Sequence, residues 1–202
     1  MLRICFLVMP IVEGKDAEFD GVLQVAKLMC VAARTAPKAK GVDNIVTAVV
    51  YGDDLERLAS EMERLAEELG YKFFIRDADN VRKSQAVVLI GLKNARPIGL
   101  NCGACGFDCK SMETMKKEGK CYLAPICAMQ LLNLGIALGS AVKVAADHNV
   151  DNRMMFSIGV AARRLKMIDA DIVIGIPLAA AGKNPYFDRP PLEKYLEKVK
   201  RG

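Results

Sequence analysis

Three cysteines stand close together in the middle of the chain, in the order C-x2-C-x3-C, at Cys102, Cys105 and Cys109. Two thiolates that flank a two-residue turn can bind one iron-sulfur cluster, because the amide N–H groups of the turn point inward and stabilise the sulfur charge. Gly103 and Gly106 suit such a tight turn. The spacing therefore predicts a metal-cluster site, and any fold of this chain must hold these cysteines together.

A four-iron, four-sulfur (4Fe-4S) cluster needs a fourth thiolate. The sequence offers Cys121, in a predicted loop, and Cys127, at the start of an apolar run that we predict to be a helix. We favour Cys127, because the rigid start of a helix fixes a ligand better than a loop does; Cys121 stays open as the alternative. Cys30 lies on the apolar face of a predicted helix and is interpreted as a core residue, and Cys5 is not expected to bind the cluster.

Two other uses of the cysteines compete with the cluster. A structural zinc site usually shows a second C-x2-C pair or several histidines, whereas this chain has one such pair and a single histidine, His148. Disulfides are disfavoured because the seven cysteines are an odd number and the N-terminal residues show no secretion signal. The pattern favours an iron-sulfur cluster over zinc, and either metal over disulfides.

Composition limits the class of protein. A chain of 202 residues with 52% hydrophobic and 26% charged residues can bury one sizeable core. We predict an N-terminal extension over 1–14 and a single α+β domain over 15–202, which contains the cysteine-rich segment 100–128. The net charge of +5 is modest and sits partly in the terminal tail, so no nucleic-acid partner is expected. The apolar run at the N-terminus is too short to span a membrane, and we expect a cytoplasmic protein.

Hydrophobic periodicity predicts helices and strands along the domain. Gly70 is expected to end the second helix. We predict helices over 16–34, 53–70, 126–147 and 151–166 and from 192 onward, and strands over 44–52, 71–77, 85–92 and 170–178.

Several strings resemble, in order, the uncharacterised ferredoxin-domain-containing proteins. They include RDADNVRKS, LNCGACGFDC, CAMQLLNLGIALGSAVK, HNVDNRMMFSIGVAARRL and GKNPYFDR, and the likeness covers roughly residues 16–190. The resemblance implies a 4Fe-4S cluster on Cys102, Cys105, Cys109 and Cys127, since Cys127 heads the third of these strings.

The segment AARTAPKAKGVDN is similar to the A-A-x-x-A-P-S-x-x-N segment of flavin-dependent nitroreductases. That resemblance implies a nitroreductase-like mixed sheet flanked by helices, with the cysteine-rich segment inserted, and flavin mononucleotide (FMN) bound at the interface of a homodimer. It also implies that five cations neutralise the FMN phosphate by charge-assisted hydrogen bonds. In the alternative interpretation they are ordinary surface charges and partners of helix C-termini. These residues are Arg34, Lys38, Lys40, Lys183 and Arg189.

Three functions are consistent with the sequence. The first is an oxidoreductase that moves electrons between the cluster, FMN and a small molecule. The second is an electron carrier or redox sensor with the cluster as its sole cofactor and a redox partner protein. The third is a structural protein in which zinc or a cluster holds the cysteine-rich segment in place. The sequence assigns no catalytic residue.

Overall fold

The computed structural model of the protein describes residues 11–115, 117–188 and 190–199, and its centre is a four-stranded sheet. The strands lie in the order β1-β2-β6-β5, and every pairing between neighbours is antiparallel. The sheet is therefore antiparallel, not mixed as predicted, within the part of the chain that the structure describes. Its strands are β1 (Ile45–Tyr51), β2 (Ala86–Leu92), β5 (Asp151–Asn152) and β6 (Ile172–Ala179); β3 (Lys117–Glu118) and β4 (Leu123–Ala124) form a separate hairpin.

Helices cover both faces of this sheet. One face carries α1 and α5, which pack on each other, and the other carries α2, α3 and α6. Gly70 adopts the left-handed conformation at the end of α2, as predicted. The helices are α1 (Gly14–Thr35), α2 (Asp53–Leu69), α3 (Phe73–Arg82), α4 (Cys109–Thr114), α5 (Ala128–Asp147), α6 (Phe156–Arg164) and α7 (Leu192–Val199); a 3-10 turn, Ala39–Gly41, joins α1 to β1.

The central strand β2 is buried at every residue. Its side chains alternate between two apolar clusters, because successive residues of a strand point to opposite faces. Val88 and Ile90 pack with α1 and α5, whereas Val87 and Leu89 pack with α2, α3 and α6. A strand covered on both faces reads as one continuous apolar run, which is why it was predicted correctly.

The strand predicted over 71–77 is wrong, because these residues begin α3. The aromatic run YKFF favours a strand by propensity. Phe74, Ala78 and Val81 nevertheless recur at helical spacing, and all three are fully buried against α2 and α6. Burial of this helical face overrides the local propensity.

The helix predicted over 151–166 begins later, at Phe156. Asp151 and Asn152 pair instead with β6 as the short strand β5. The carboxylate of Asp151 accepts a hydrogen bond from the side chain of Asn184 at 2.8 Å, so it holds a neighbouring loop and does not cap a helix.

Polar side chains from three of the strings quoted above meet in the interior. The hydroxyl of Ser157 donates to the carboxylate of Asp77 at 2.6 Å, and both residues are buried. The side-chain amide of Asn80 donates to the carbonyl of Pro185 at 3.0 Å. These hydrogen bonds satisfy polar groups that would otherwise be costly to bury, and they tie the final loop to α3.

Among the described helices, α5 alone has the length and composition that would suit a membrane span. It serves as a core helix here, because Leu134, Ala137, Leu138 and Ala141 pack against the sheet and α1. Most of the predicted extension, with Cys5, lies outside the described residues, and α1 already begins at Gly14.

Gly159 lies where α6 crosses β6, and it offers a test of this packing. A Cβ atom there would overlap the carbonyl oxygen of Val173, a backbone atom that cannot turn aside. We expect Gly159→Ala to lower the free energy of unfolding by at least about 1–3 kcal/mol, as overpacking does. Urea unfolding followed by circular dichroism measures the change.

Gly21→Ala is the matched control in α1, since nothing lies within 4 Å of the position that its Cβ atom would take. It should be neutral or raise stability by about 0.5–1 kcal/mol, because alanine is the better helix former. Equal effects of the two substitutions would contradict the close crossing of α6 and β6.

Candidate metal centre

The cysteines predicted to bind a cluster come from two segments that the sheet brings together. The loop after β2 carries Cys102 and Cys105 and leads into α4, of which Cys109 is the first residue. Cys127 occupies the N-cap position of α5. The loop starts where β2 ends and α5 packs across the same sheet, so both segments start from the folded core.

All four of these cysteines line one hollow at the surface. Its remaining walls are mainly apolar, and Met112 is fully buried behind it. Cys102 is exposed, Cys105 and Cys109 are half-buried, and Cys127 is buried with 6% of its surface exposed. The hollow is lined by Cys102, Cys105, Cys109 and Cys127 together with Ile98, Leu100, Gly103, Phe107, Met112, Ala128 and Met129.

The loop is shaped by residues with left-handed backbone conformations. Gly103 and Gly106 have φ angles of 70° and 85°, and the N–H of Gly106 donates to the carbonyl of Gly103 at 2.9 Å. This is the tight glycine turn that the C-x2-C spacing predicts. It bends the chain so that both flanking thiols reach the same hollow.

Asn101 fixes the third thiol, although nothing in the cysteine spacing points to it. Its N–H donates to the Sγ of Cys109 at 3.3 Å, while its side-chain oxygen accepts from the N–H of Cys109 at 2.9 Å. Amide donation to sulfur stabilises negative charge on a thiolate. The sequence signal for this role is the asparagine directly before the first cysteine. Asn is one of few residues that tolerate a positive φ, and the φ of Asn101 is 48°.

Two helix beginnings frame the hollow. Asp108 caps α4, because its carboxylate accepts from the N–H of Ser111 at 2.9 Å. The carbonyl of Cys127 accepts the first backbone hydrogen bond of α5, from the N–H of Leu131 at 3.0 Å. The positive end of the dipole of this 20-residue helix therefore lies at the N-cap residue Cys127.

Cys121 lies elsewhere, in a groove between the β3–β4 hairpin and the end of α6. It lines this groove with Lys120, Arg163 and Arg164. Partial burial raises the pKa of the Cys121 thiol, against the opposing effect of Lys120 and Arg164. Cys121, the alternative fourth ligand, therefore does not line the hollow that Cys102, Cys105, Cys109 and Cys127 share.

Cys30 lies on α1, half-buried against the core. Burial raises the pKa of its thiol, and a hydrogen bond with Thr47 opposes the shift. Such a thiol behaves as a small apolar core residue, as the helical pattern predicted.

The residues at the hollow fit an iron-sulfur cluster by donor type. In the described residues, no three Cys, His, Asp or Glu side chains stand close enough together to hold a single metal ion. A 4Fe-4S cluster makes a different demand, because each thiolate binds its own iron at one corner of the cube. Four cysteines around an otherwise apolar hollow are the soft donor set that such clusters take.

Two of the cations predicted to bind the FMN phosphate lie together at the end of α1. The side chain of Lys38 is 7% exposed. Its ammonium donates to the carbonyl of Ala33 at 3.2 Å and to the carbonyl of Arg34. Arg34 donates to Asp43 at 2.5 Å, and Lys38 stands 3.7 Å from the same carboxylate. Partial burial opposes these interactions, but Arg34 and Lys38 hold the pKa of Asp43 below its usual value.

The remaining cations have other surroundings. Lys40 donates to the carbonyl of Ile98 at 3.0 Å, beside the cysteine loop. Ala180, which follows β6, lines a groove together with Val22 in the first half of α1, and Lys183 is three residues further along the chain. At about 1.5 Å per helical residue, that part of α1 lies roughly 20 Å from its C-terminal end. Arg34 and Lys38 share Asp43, and Lys40 follows two residues later in the chain. Arg189 lies outside the described residues, so the joint contact of these cations with one phosphate stays a prediction.

Comparison with known proteins identifies the family of the chain. The sequence pattern of a family described as uncharacterized proteins containing a ferredoxin domain matches residues 123–189. An uncharacterized protein of Archaeoglobus fulgidus is 50% identical over 182 residues, which cover 90% of this chain and 98% of that protein. The chain belongs to this ferredoxin-domain family. The first resemblance drawn from the sequence is thereby confirmed.

Solved structures confirm the fold of this ferredoxin-domain protein. An FMN-dependent nitroreductase of Mycobacterium smegmatis, solved with NADPH, matches at a TM-score of 0.52 with 11% identity, over 85% of this chain and 86% of that one. A protein from Desulfovibrio desulfuricans, described as a nitroreductase and solved with FMN, matches at 0.50 with 14% identity, over 85% and 81% of the two chains. The α+β nitroreductase-like fold is confirmed, and at these identities the likeness concerns the fold alone.

Substitution of single cysteines tests the ligand set. We expect Cys102→Ser, Cys105→Ser, Cys109→Ser and Cys127→Ser each to abolish the 4Fe-4S cluster or convert it to another form, because serine replaces a soft thiolate by a hard hydroxyl. Iron and sulfide per chain, measured after anaerobic reconstitution, give the result.

The control substitutions are Cys5→Ser, Cys30→Ser and Cys121→Ser, which should leave the cluster intact. Loss of iron in Cys121→Ser with retention in Cys127→Ser would reverse the choice of the fourth ligand.

Proposed function

We propose that this protein transfers electrons through a 4Fe-4S cluster bound by Cys102, Cys105, Cys109 and Cys127. One observation carries the proposal: these four thiols line a single hollow, although they come from two separate segments of the chain. Membership of a family described by its ferredoxin domain supports a redox role. When bound, the cluster would accept and release single electrons.

The residues around the hollow would control how the cluster behaves. The N–H of Asn101 and the start of α5 supply positive partial charge, which stabilises the thiolates. The apolar side chains of Leu100, Phe107 and Met129 would keep water from most of the cluster surface. Cys102 is the exposed ligand, so electrons would be exchanged with a redox partner at that side.

Anaerobic purification followed by metal analysis and a visible spectrum tests this proposal. We expect about four irons and four sulfides per chain, with the broad visible absorption of a 4Fe-4S cluster. Zinc without sulfide would contradict the redox proposal and would leave a structural metal protein. Oxygen must be excluded throughout, because exposed clusters are oxidised.

A second candidate is an oxidoreductase in which FMN also binds and reduces a small molecule. The nitroreductase-like fold favours it, since solved proteins of that fold are described as FMN complexes or FMN-dependent enzymes. The cations predicted to bind the phosphate stay a prediction: Arg34, Lys38 and Lys40 donate to protein acceptors, and each side chain carries further N–H donors for an anion. Flavin absorbance in the anaerobically purified sample would support the enzyme, and its absence would leave the carrier or sensor.

The outer face of α1 and α5 supports a homodimer. Val31, Leu131, Leu132 and Ile136 are exposed on these two packed helices, with exposed fractions between 36% and 58%. Apolar side chains grouped on one face commonly mark a protein interface. We propose that a second copy of the chain covers this face, in the cytoplasm, where reducing conditions keep the thiols free.

Light scattering during gel filtration tests the dimer. We expect twice the mass of one chain for the wild type and the mass of one chain for the double variant Leu132→Lys with Ile136→Lys, because two charges would be buried at the interface. Glu67→Lys, at an exposed position of α2 on the opposite side of the sheet, is the control and should stay dimeric. A monomeric wild type would contradict the proposal.

A further inference from the structure

The short turn Ala39–Gly41 contacts both segments that carry the cysteines. The ammonium of Lys40 donates to the carbonyl of Ile98 at 3.0 Å. The N–H of Ala39 donates to the side-chain oxygen of Asn133 at 2.9 Å. Ile98 belongs to the loop after β2 and Asn133 belongs to α5, so one turn holds these two segments in relation to each other.

On the loop side, Lys40 bonds to the wall of the hollow. Ile98 and Leu100 line the hollow beside the thiols, and Asn101 is hydrogen-bonded to Cys109. Gly99 lies against the ammonium, since a Cβ atom there would stand 3.8 Å from the Nζ of Lys40. The cation thus lies directly behind the segment that shapes one side of the site.

On the helix side, the turn bonds to the buried beginning of α5. Asn133 is 2% exposed and Gln130 is 1% exposed, and both follow Cys127 within the first turns of the helix. The side chain of Asn133 also donates to that of Gln130 at 3.5 Å. A buried amide with defined partners fixes the position of the helix start more firmly than apolar packing alone.

The backbone of Lys40 indicates that its position matters. Its φ and ψ angles are 57° and 14°, a left-handed conformation that costs energy for a lysine and is usually taken by Gly or Asn. A lysine needed only as a solvated surface charge could stand at many unstrained positions nearby. Unfavourable conformations persist where the surrounding structure holds them, and they concentrate at functional sites.

We propose that Lys40 is a positioning residue for the cluster. It holds residues 98–101, which form one wall of the hollow, and its positive charge raises the reduction potential of the cluster. The proposal rests on the 4Fe-4S function proposed above. One-electron reduction adds one negative charge to the site, and a nearby cation stabilises the reduced form. This role differs from the contact with an FMN phosphate that the nitroreductase resemblance implies.

The test uses the full chain, reconstituted anaerobically, with the midpoint potential determined by dithionite titration and electron paramagnetic resonance. Lys40→Asn removes the ammonium and keeps the left-handed backbone, because asparagine tolerates it. Lys40→Arg retains the charge. Lys93→Asn is the control, since it removes a cation from the start of the same loop, where its ammonium binds Asp169 on the surface.

We expect Lys40→Asn to bind iron with a more negative midpoint potential than the wild type, and Lys40→Arg and Lys93→Asn to stay close to the wild type. An unchanged potential in Lys40→Asn, or an equal shift in Lys93→Asn, would overturn the proposal. If Lys40→Asn binds no iron, the result for Lys40→Arg is used instead. A cluster with the wild-type potential in Lys40→Arg supports the role of the charge, and loss of the cluster in Lys40→Arg overturns the proposal. Absence of iron and sulfide in the wild type would instead refute the proposed function itself.

Discussion

Burial of β2 on both faces is the constraint on which the rest of the structure depends. A strand with no exposed residue must be covered by helices above and below, and α1 with α5 on one side and α2, α3 and α6 on the other meet that need. Because α5 is required to cover the sheet, the position of Cys127 at its beginning is fixed by core packing. Because β2 ends at Leu92, the loop with the other three cysteines leaves from an equally fixed point. The thiols meet as a consequence of folding the apolar core.

Much of this arrangement could be predicted from the sequence, and the reasons are local. The C-x2-C-x3-C spacing and its glycines predict the turn that the loop adopts, and the apolar periodicity of 126–147 predicts the helix that Cys127 begins. Aromatic residues misled the prediction at 71–77, where a buried helical face outweighs strand propensity. The strand at Asp151–Asn152 could not be predicted, because two residues carry no periodicity and their pairing with β6 depends on the folded sheet.

The basic residues show where sequence reasoning stops. A lysine or arginine near a helix end reads equally well as a phosphate ligand, as a partner of the last carbonyls or as a surface charge. The structure adds their protein acceptors: Lys38 donates to the end of α1, Arg34 to Asp43, and Lys40 to the cysteine loop. The roles of Asn101 and Asn133 likewise become known only from their hydrogen-bond partners, since a long-range hydrogen bond leaves no pattern in the neighbouring sequence.

The unequal division of the four thiols has a consequence for how the centre is assembled. Cys127 stands on a long helix whose packing needs no metal, whereas the other three cysteines belong to a loop and a short helix at the surface. Iron would therefore meet four thiols that already line one hollow, with Cys127 held by the core and the other three by hydrogen bonds within their own segment. Assembly of the cluster would then require little change in the fold, and a chain without the cluster would keep its sheet and helices intact.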